Sequence, residues 1–305
     1  MEQEKRRIGE LLGDHLSGKK KRTHHHPIFN FIFEYYMFKP KMLLQYSPGI
    51  GVLLEGATEG DESLPRRGFS FSEDGEEEVE GETRQQHIAW AEPLLAKPKT
   101  VESLRWTRDL LKATLEKKPE LHCYGMHEWA MLYYPQDSMH EAPRKYQSLP
   151  LRISQETINS AVEAEPIRCT HFDAFRFYAK DATEKNVNQL TRQTQPEFEQ
   201  PGCLHANMDL FKWSIKLFPW VSSQLLHDSL SIATRARAID IRASPYAAEG
   251  AVDDFELSPI PIETHEGRAQ YKTLQAELWK DAIPIRKRLI EAYDAFLEHH
   301  NELSC

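Results

Sequence analysis

The stretch GCLHANMDLFKWSIKLFP, residues 202–219, is the clearest guide to the fold class. Its Leu204, Met208, Phe211 and Ile215 recur at helical spacing between a glycine and a proline, two residue types that flank helices. Similar periodicity marks other parts of the chain, namely residues 100–118, 154–162, 222–241 and, as two helices parted by Pro284, 267–296. Strand signals are few and short. The sequence therefore predicts a mainly α fold with a single helical domain.

The net charge of −9 is concentrated in one segment. Eleven acidic and three basic residues lie between Glu55 and Arg84, so eight of the nine excess negative charges are there. We expect residues 55–90 to be a disordered acidic insertion in a helical catalytic domain that spans 23–300. Residues 1–22, which end in the run KKKR, predict a solvated basic N-terminal arm. The near-neutral remainder does not favour nucleic acid as a partner, although it leaves that partner open.

The composition, with 40% hydrophobic and 28% charged residues in a chain of 305, is that of a soluble globular protein. The longest apolar run, residues 28–38, is interrupted by Asn30 and Glu34 and is too short to cross a bilayer, so no membrane partner is predicted. The N-terminus lacks the apolar region of a secretion signal, which predicts an intracellular, cytoplasmic protein with an organelle left open. Four cysteines do not make a disulfide framework.

Histidines and acidic residues recur together in four segments. In HPIFNFIFEYY, residues 26–36, the side chains of His26, Asn30 and Glu34 share one face of an otherwise apolar helix. The other segments are GMHEWAM (125–131), RCTHFDAFRF (168–177) and PGCLHANMDLFKW (201–213). In the last of them, His205 and Asp209 are one helical turn apart, a spacing at which both can hold one ion.

This recurrence predicts a metal site, because helical bundles hold metal ions with inward-facing histidine and carboxylate side chains. The predicted ligands are His26, His127, Glu128, His171, His205 and Asp209. Since the donors are histidine and carboxylate rather than cysteine, we expect a divalent metal cofactor, with non-haem iron favoured and zinc or manganese as alternatives. Iron would support oxidation, and zinc would support hydrolysis. The alternative is a non-catalytic helical binding protein in which the same residues form a buried hydrogen-bond network.

Other polar residues complete the predicted active site. Glu34 and Asp173 are candidate bases, and Arg242 in the stretch DIRASPY (240–246) is a candidate clamp for an anionic group. The candidate substrate-binding residues are Arg176, Lys212 and Tyr246. Together these features predict a metal-dependent oxidoreductase, or else a hydrolase, that acts on a small anionic substrate. They predict no oligomeric state.

The motifs taken together resemble a bacterial and algal family whose members often carry the label 3-methyladenine DNA glycosylase. The motifs that carry the resemblance are HPIFNFIFEYY, SPGIG (47–51), GMHEWAM, RCTHFDAFRF, QPGCLHANMDLFKW, RASPY and IETHEGRAQY (262–271), and they cover about residues 20–300 outside the acidic segment. The family pattern usually has proline at the position of His265 and a shorter acidic segment. The resemblance implies an alternative function, cleavage of the N-glycosidic bond of DNA or of a nucleoside.

Within that resemblance, the turn YSPGIG (46–51) is similar to the hairpin with which helix-hairpin-helix glycosylases grip a phosphate through backbone N–H groups. The catalytic aspartate of such an enzyme would fall downstream, inside the acidic segment, where Asp61 is too close to the hairpin. The chain has aromatic residues enough to line a pocket for a flipped base.

Overall fold

The computed structural model describes residues 26–72, 76–79, 82–85, 87–143, 145 and 148–302, together with residues 6, 8–10, 12 and 13. About 52% of it is helical and 5% is strand, which confirms the prediction of a mainly α single domain. Most of the predicted basic arm, residues 1–22, lies outside the described residues. No helix in the described ranges is long and apolar enough to cross a membrane.

The helices begin and end close to the predicted positions. Ser222 caps one of them, accepting a hydrogen bond from Leu225 N–H at 3.2 Å, and Ser154 caps another in the same way. The helices are α1 (Phe29–Tyr35), α2 (Pro98–Glu116), α3 (Met126–Ala130), α4 (Gln155–Ala164), α5 (Phe172–Phe175), α6 (Lys180–Thr183), α7 (Gln195–Phe198), α8 (Leu204–Leu217), α9 (Ser223–Ala243) and α10 (His265–Glu302). Short 3₁₀ helices span Pro40–Leu44 and Pro93–Leu95.

The core is built around α8, whose residues are buried on every side over its first two turns. α8 packs along α9, and α10 packs against both of them. α2 lies against α10, and the short α1 packs on α9. This arrangement brings the polar residues of α8 and α9 face to face inside the core.

The C-terminal region is one helix rather than the two that Pro284 predicts. α10 continues through the proline to Glu302. Pro284 removes one backbone hydrogen bond of the helix, but Leu278, Ala282 and Leu289 are buried before and after it. Packing of this continuous apolar face therefore outweighs the local preference of proline for a helix start.

The acidic segment differs in part from the predicted disorder. Its strands are β1 (Leu54–Glu55), β2 (Phe69–Ser72), β3 (Glu76–Val79), β4 (Glu82–Gln85) and β5 (Ile88–Ala91). β5 pairs antiparallel with β1 and with β2, with Phe69 opposite Ala91. Phe69, Ala89 and Ala91 are buried, and Trp220 donates a hydrogen bond from Nε1 to Glu92 O at 2.9 Å. The two ends of the segment thus pack on the domain, because FSFS and IAWA alternate apolar and small residues as a half-buried strand does.

The turn at residues 46–51 packs against the start of α9. Ser47 N–H donates to Ser223 Oγ at 2.9 Å, and Gly49 N–H donates to Ser47 Oγ at 3.1 Å. A Cβ atom on Gly49 would lie 3.3 Å from Ser222 N, so the glycine permits this close approach. The strand β1, rather than a second helix, follows the turn. The turn is therefore engaged in holding the fold and lacks the flanking helices of a helix-hairpin-helix.

Candidate metal centre and the cavity beside it

A left-handed turn directs α3 into the core. Tyr124 and Gly125 have positive φ angles of 47° and 70°. A Cβ atom on Gly125 would lie 3.3 Å from the Cβ of Ala243, so α3 starts tight against the end of α9. Trp129 Nε1 donates to Ala243 O at 2.9 Å and fixes this contact. The turn places His127 and Glu128 both in the interior, although adjacent residues of a helix point in different directions.

Three residues from three helices meet at one point. His127 of α3, His205 of α8 and Asp240 of α9 each offer a ligand atom, and these atoms lie within 4.8 Å of one another. His127 Nε2 lies 2.7 Å from Asp240 Oδ1, and the rings of His127 and His205 are 4.4 Å apart at 86°. All three residues are buried. Two imidazoles and one carboxylate with room for further ligands are the donor set of non-haem iron sites.

An arginine holds the carboxylate of this group in place. Arg237, one helical turn before Asp240, donates from Nη1 to Asp240 Oδ2 and, at 2.9 Å, to Glu128 Oε1. Burial alone would raise the pKa of Asp240, but its contacts with His127 and Arg237 outweigh burial and hold that pKa below its ordinary value. Asp240 is therefore ionised and fixed in orientation. We call His127, Glu128, Arg237 and Asp240 the His127 cluster.

A second group of charged residues lies on the other side of His205. His171 Nε2 is 3.4 Å from Asp209 Oδ2 and 3.8 Å from Glu199 Oε2, and its Nδ1 accepts a hydrogen bond from Ala174 N–H at the start of α5. Asp209 also accepts from Lys212 Nζ at 3.2 Å. We call His171, Glu199, Asp209 and Lys212 the His171 cluster. Its histidine ring is 5.3 Å from that of His205.

The ionisation states in the His171 cluster follow from these contacts. Burial opposes the charge of His171, yet the nearby carboxylate of Asp209, 3.4 Å from Nε2, raises its pKa. Burial likewise opposes the charge of Asp209, but Lys212 and His171 lower its pKa. Tyr36 donates its hydroxyl proton to Asp209 Oδ1 at 2.8 Å and adds to this effect. The cluster is therefore a network of opposite charges.

His205 lies between the two clusters and differs from both. Burial and the neighbouring His127 lower the pKa of His205 well below its ordinary value, so its ring is neutral. A neutral imidazole can act as a metal ligand or as a base.

A small cavity reaches His205 from the side of α1 and α5. This inner cavity has a volume of about 70 Å³. Its lining consists of Phe31, Tyr35, Glu128, Met131, Asp173, Ala174, Phe177 and His205. Most of this wall is apolar or aromatic, and two carboxylates and the neutral imidazole are its polar groups. A ligand in the inner cavity would thus contact both His205 and Glu128.

Two larger cavities adjoin the inner one. A cavity of about 230 Å³, which we call the basic cavity, shares Tyr35 and Asp173 with it and is also lined by Arg176, Lys212 and Lys216. A cavity of about 620 Å³ lies beyond Met131 and Phe177 and is lined by no member of the metal group and by no residue of either cluster. The chemistry that the core offers is therefore reached through the inner and basic cavities.

Of the six predicted metal ligands, the structure brings two, His127 and His205, into the group of three. Glu128 pairs with Arg237, and His171 and Asp209 pair with each other, so these three surround the group without joining it. His26 is used elsewhere. Its Nδ1 accepts from the N–H groups of Ile28 and Phe29, and its Nε2 lies 3.2 Å from Asp254 Oδ1.

The predicted catalytic and substrate-binding residues divide in the same way. Asp173, Arg176 and Lys212 line the cavities, and Lys212 Nζ donates to Asp173 Oδ2 at 2.7 Å. Glu34 is exposed on α1 because the buried face of that short helix carries Phe29, Ile32 and Phe33 instead. Arg242 and Tyr246, the other two predicted residues, have structural roles.

Arg242 donates from Nε to Ser258 O at 2.9 Å and ties down the loop before α10. Tyr246 is buried and pairs with Leu151 in an isolated β-bridge. Neither residue lines the inner cavity or the basic cavity. The stretch DIRASPY therefore contributes its first residue, Asp240, to the site rather than its arginine or tyrosine.

Sequence reasoning missed Glu199 of the His171 cluster and, in the His127 cluster, Asp240 and Arg237. A signal for the latter two was present, since Arg237 falls on the apolar stripe of α9 that includes Leu230 and Ala233. A charged residue on a stripe that faces the core requires a buried partner, and Asp240 is one helical turn away.

No protein-family model, curated protein or solved structure matches the chain. The resemblance to proteins labelled 3-methyladenine DNA glycosylase thus stays a prediction.

Proposed function

We propose that the protein is a metal-dependent enzyme in which His127, His205 and Asp240 hold one divalent ion at the end of the inner cavity. The observation that carries the proposal is the convergence of these three ligand atoms within 4.8 Å of one another from three separate helices. Iron is the preferred ion, because two histidines and one carboxylate suit it and cysteine is absent from the group. The substrate is a small anionic molecule, and the reaction is its oxidation with O₂ as the oxidant.

The residues around the ion have separate roles in this proposal. A bound iron ion would supply redox chemistry at the wall of the inner cavity. Arg237 orients Asp240 through its second oxygen, as partners of metal-binding carboxylates do. Glu128, held by Arg237 at 2.9 Å, is placed to exchange a proton with a substrate in the inner cavity. The aromatic walls exclude water from the reacting group.

Metal content tests the proposal directly. The full chain without a histidine tag, prepared once with added iron and once with zinc, is analysed by elemental mass spectrometry. We expect one equivalent of iron in the first preparation. In the His205→Ala variant the metal content should fall at least about tenfold, because one of three protein ligands is lost. The neutral His205 leaves no charge behind, so the variant should still fold.

The matched control is His122→Ala, which removes an exposed histidine near α3. It should keep the metal content of the wild type. Stoichiometric zinc in place of iron would keep the site and contradict oxidation in favour of hydrolysis. No metal in either preparation, or equal metal in the two variants, would contradict the proposal.

Metal-free acid–base catalysis is the second candidate. The observation that favours it is that both oxygens of Asp240 already have partners, His127 and Arg237, so the His127 cluster is satisfied without an ion. Neutral His205 would then act as the base that takes a proton from a nucleophile in the inner cavity, and the carboxylate of Glu128 would stabilise positive charge that develops on the ligand. Cleavage of an N-glycosidic bond belongs to this class. A protein that contains no metal and hydrolyses nucleosides would support it.

A further inference from the structure

The basic cavity contains more positive than negative charge. Arg176, Lys212 and Lys216 line it, and the carboxylates in contact with them are Asp173 and Asp209. Three cations against two carboxylates leave one positive charge. In the described part of the chain, no carboxylate lies within ion-pair distance of Lys216. The cavity thus offers the charge of one lysine to a bound anion.

The lysines are held in position before any ligand arrives. Lys212 Nζ and Lys216 Nζ lie 4.5 Å and 4.8 Å from the centre of the Trp213 ring. Arg176 is fixed by Asp173, with Nε 3.1 Å from Oδ1, and its guanidinium lies 4.2 Å from the ring centre of Phe177. Preorganised cations lose little side-chain entropy when they bind an anion.

The rim of the basic cavity has an unusual residue. Met37 lines it, is 91% exposed and has a φ angle of 51°, which side-chain-bearing residues rarely adopt. An exposed methionine in this conformation is costly for the fold. Its position at the mouth, next to Tyr35 and Tyr36, is consistent with contact to a ligand that has an apolar part.

The size of the inner cavity limits that apolar part. A cavity of about 150 Å³ takes a benzene ring, whereas the inner cavity has about 70 Å³. It has room for a short aliphatic chain and not for an aromatic ring. Tyr35 and Asp173 line both cavities, so the two cavities lie side by side.

We propose that the basic cavity binds the carboxylate of a short aliphatic acid whose chain enters the inner cavity. Arg176 and Lys216 hold the carboxylate, and the chain lies between Phe31, Tyr35 and Phe177 with its far end at His205. The binding site stands on its own lining residues, while its role as the substrate site rests on the proposed metal-dependent function. A monoanionic carboxylate matches the single surplus charge better than a phosphate dianion does.

Isothermal titration calorimetry of the full chain tests this assignment with five ligands. Butyrate should bind, and butanamide, the uncharged molecule of the same shape, should bind at least about tenfold more weakly because it loses a charge-assisted contact. Benzoate should be weaker than butyrate because its ring exceeds the inner cavity. Inorganic phosphate should also be weaker, since it lacks a chain. Acetate, added as a fifth ligand, should bind less tightly than butyrate.

Variants locate the site. Lys216→Gln and Arg176→Gln should each weaken butyrate binding at least about tenfold. Lys272→Gln on α10, which makes the same change of charge at an exposed position outside both cavities, should not. Ala174→Val narrows the inner cavity and should remove the advantage of butyrate over acetate while acetate binding stays as it was. The melting temperature of each variant checks that it folds.

Equal binding of butyrate and butanamide, phosphate bound more tightly than butyrate, or butyrate affinity unchanged by both Lys216→Gln and Arg176→Gln would overturn the proposal. The titration is made on the protein as purified and again after dialysis against EDTA, with metal content measured on both. Butyrate binding without any metal would leave the acid site standing while the proposed function fails. Stoichiometric metal without butyrate binding would do the reverse.

Discussion

The His127 cluster and the His171 cluster are alike in composition but differ in how exposed their cation is. In the His127 cluster the cation is Arg237, which is fully buried and lies one helical turn from its carboxylate on α9. In the His171 cluster the cation is Lys212, whose side chain is 19% exposed and lines the basic cavity. The cation and the aspartate of the first cluster are therefore closed within the core. The second is open to ions and protons from solvent.

This difference predicts unequal costs when a carboxylate is removed. Asp240→Ala leaves Arg237 with Glu128 alone in a dry site, so it should lower the free energy of unfolding by about 3–5 kcal/mol. Asp209→Ala should cost less, roughly 1–3 kcal/mol, because Lys212 keeps Asp173 and can reach water. Urea unfolding followed by circular dichroism measures both values.

A matched control for the two variants is Asp281→Ala, which removes an exposed partner of Arg235 and should change stability by less than about 1 kcal/mol. Equal losses for Asp240→Ala and Asp209→Ala would show that the two clusters are equally closed to solvent.

The pH dependence of stability sharpens the same comparison. The pKa of Asp209 is lower in the folded protein than its ordinary value near 3.9, so its contribution to stability is present above about pH 4 and is lost as the pH falls through the folded pKa. The stability difference between the wild type and Asp209→Asn should therefore shrink below about pH 4. Unfolding curves at a series of pH values measure this difference.

Glu263 provides a comparison on the surface. Its pairing with Arg152 outweighs partial burial and lowers its pKa, so its contribution to stability is also lost as the pH falls. The pH-dependent part of the stability difference should be smaller for Glu263→Gln than for Asp209→Asn, because solvent screens a half-buried pair. A pH-independent difference for Asp209→Asn would contradict the ion pairing inferred for the carboxylate of Asp209.

The smallest effect on stability is expected at His205, which lies between the two clusters. His205 is neutral and faces the inner cavity, so His205→Gln should change the free energy of unfolding by less than about 1 kcal/mol while it removes a metal ligand. Thermal unfolding in the presence of EDTA isolates this intrinsic effect from any metal. A large loss there would assign His205 to the structural network instead.

The helices could be predicted from the sequence because local rules determine them. Ser154 and Ser222 act as caps where the apolar period begins, and residues 202–219 carry their own start and stop. α10 could not be predicted as one helix, since the packing that carries it through Pro284 involves residues far away in the chain. The acidic composition of residues 55–90 hid the strand pairs, although Phe69 in β2 and Trp90 in β5 alternate with small residues.

The candidate site was predictable in content but not in arrangement. The density of histidine and carboxylate residues identified His127 and His205, because such residues are rare in an apolar core. Which of them meet depends on the packing of α3 and α8 on α9, which brings Asp240 to His127 from 113 positions along the chain. Glu34 is the opposite case. Its spacing from His26 and Asn30 predicted a polar face inside the core, but periodicity alone does not distinguish an exposed helix face from a buried one.

The last helix completes the core only late in synthesis. α10 supplies Arg286, which donates to Ala206 O at 2.8 Å, and Tyr293, which donates to Trp213 O at 2.8 Å. Both residues are made after those of the two clusters, so the apolar faces of α8 and α9 that α10 covers stay exposed until residues 265–302 have been translated. Until then the chain exposes apolar surface of the kind that chaperones bind.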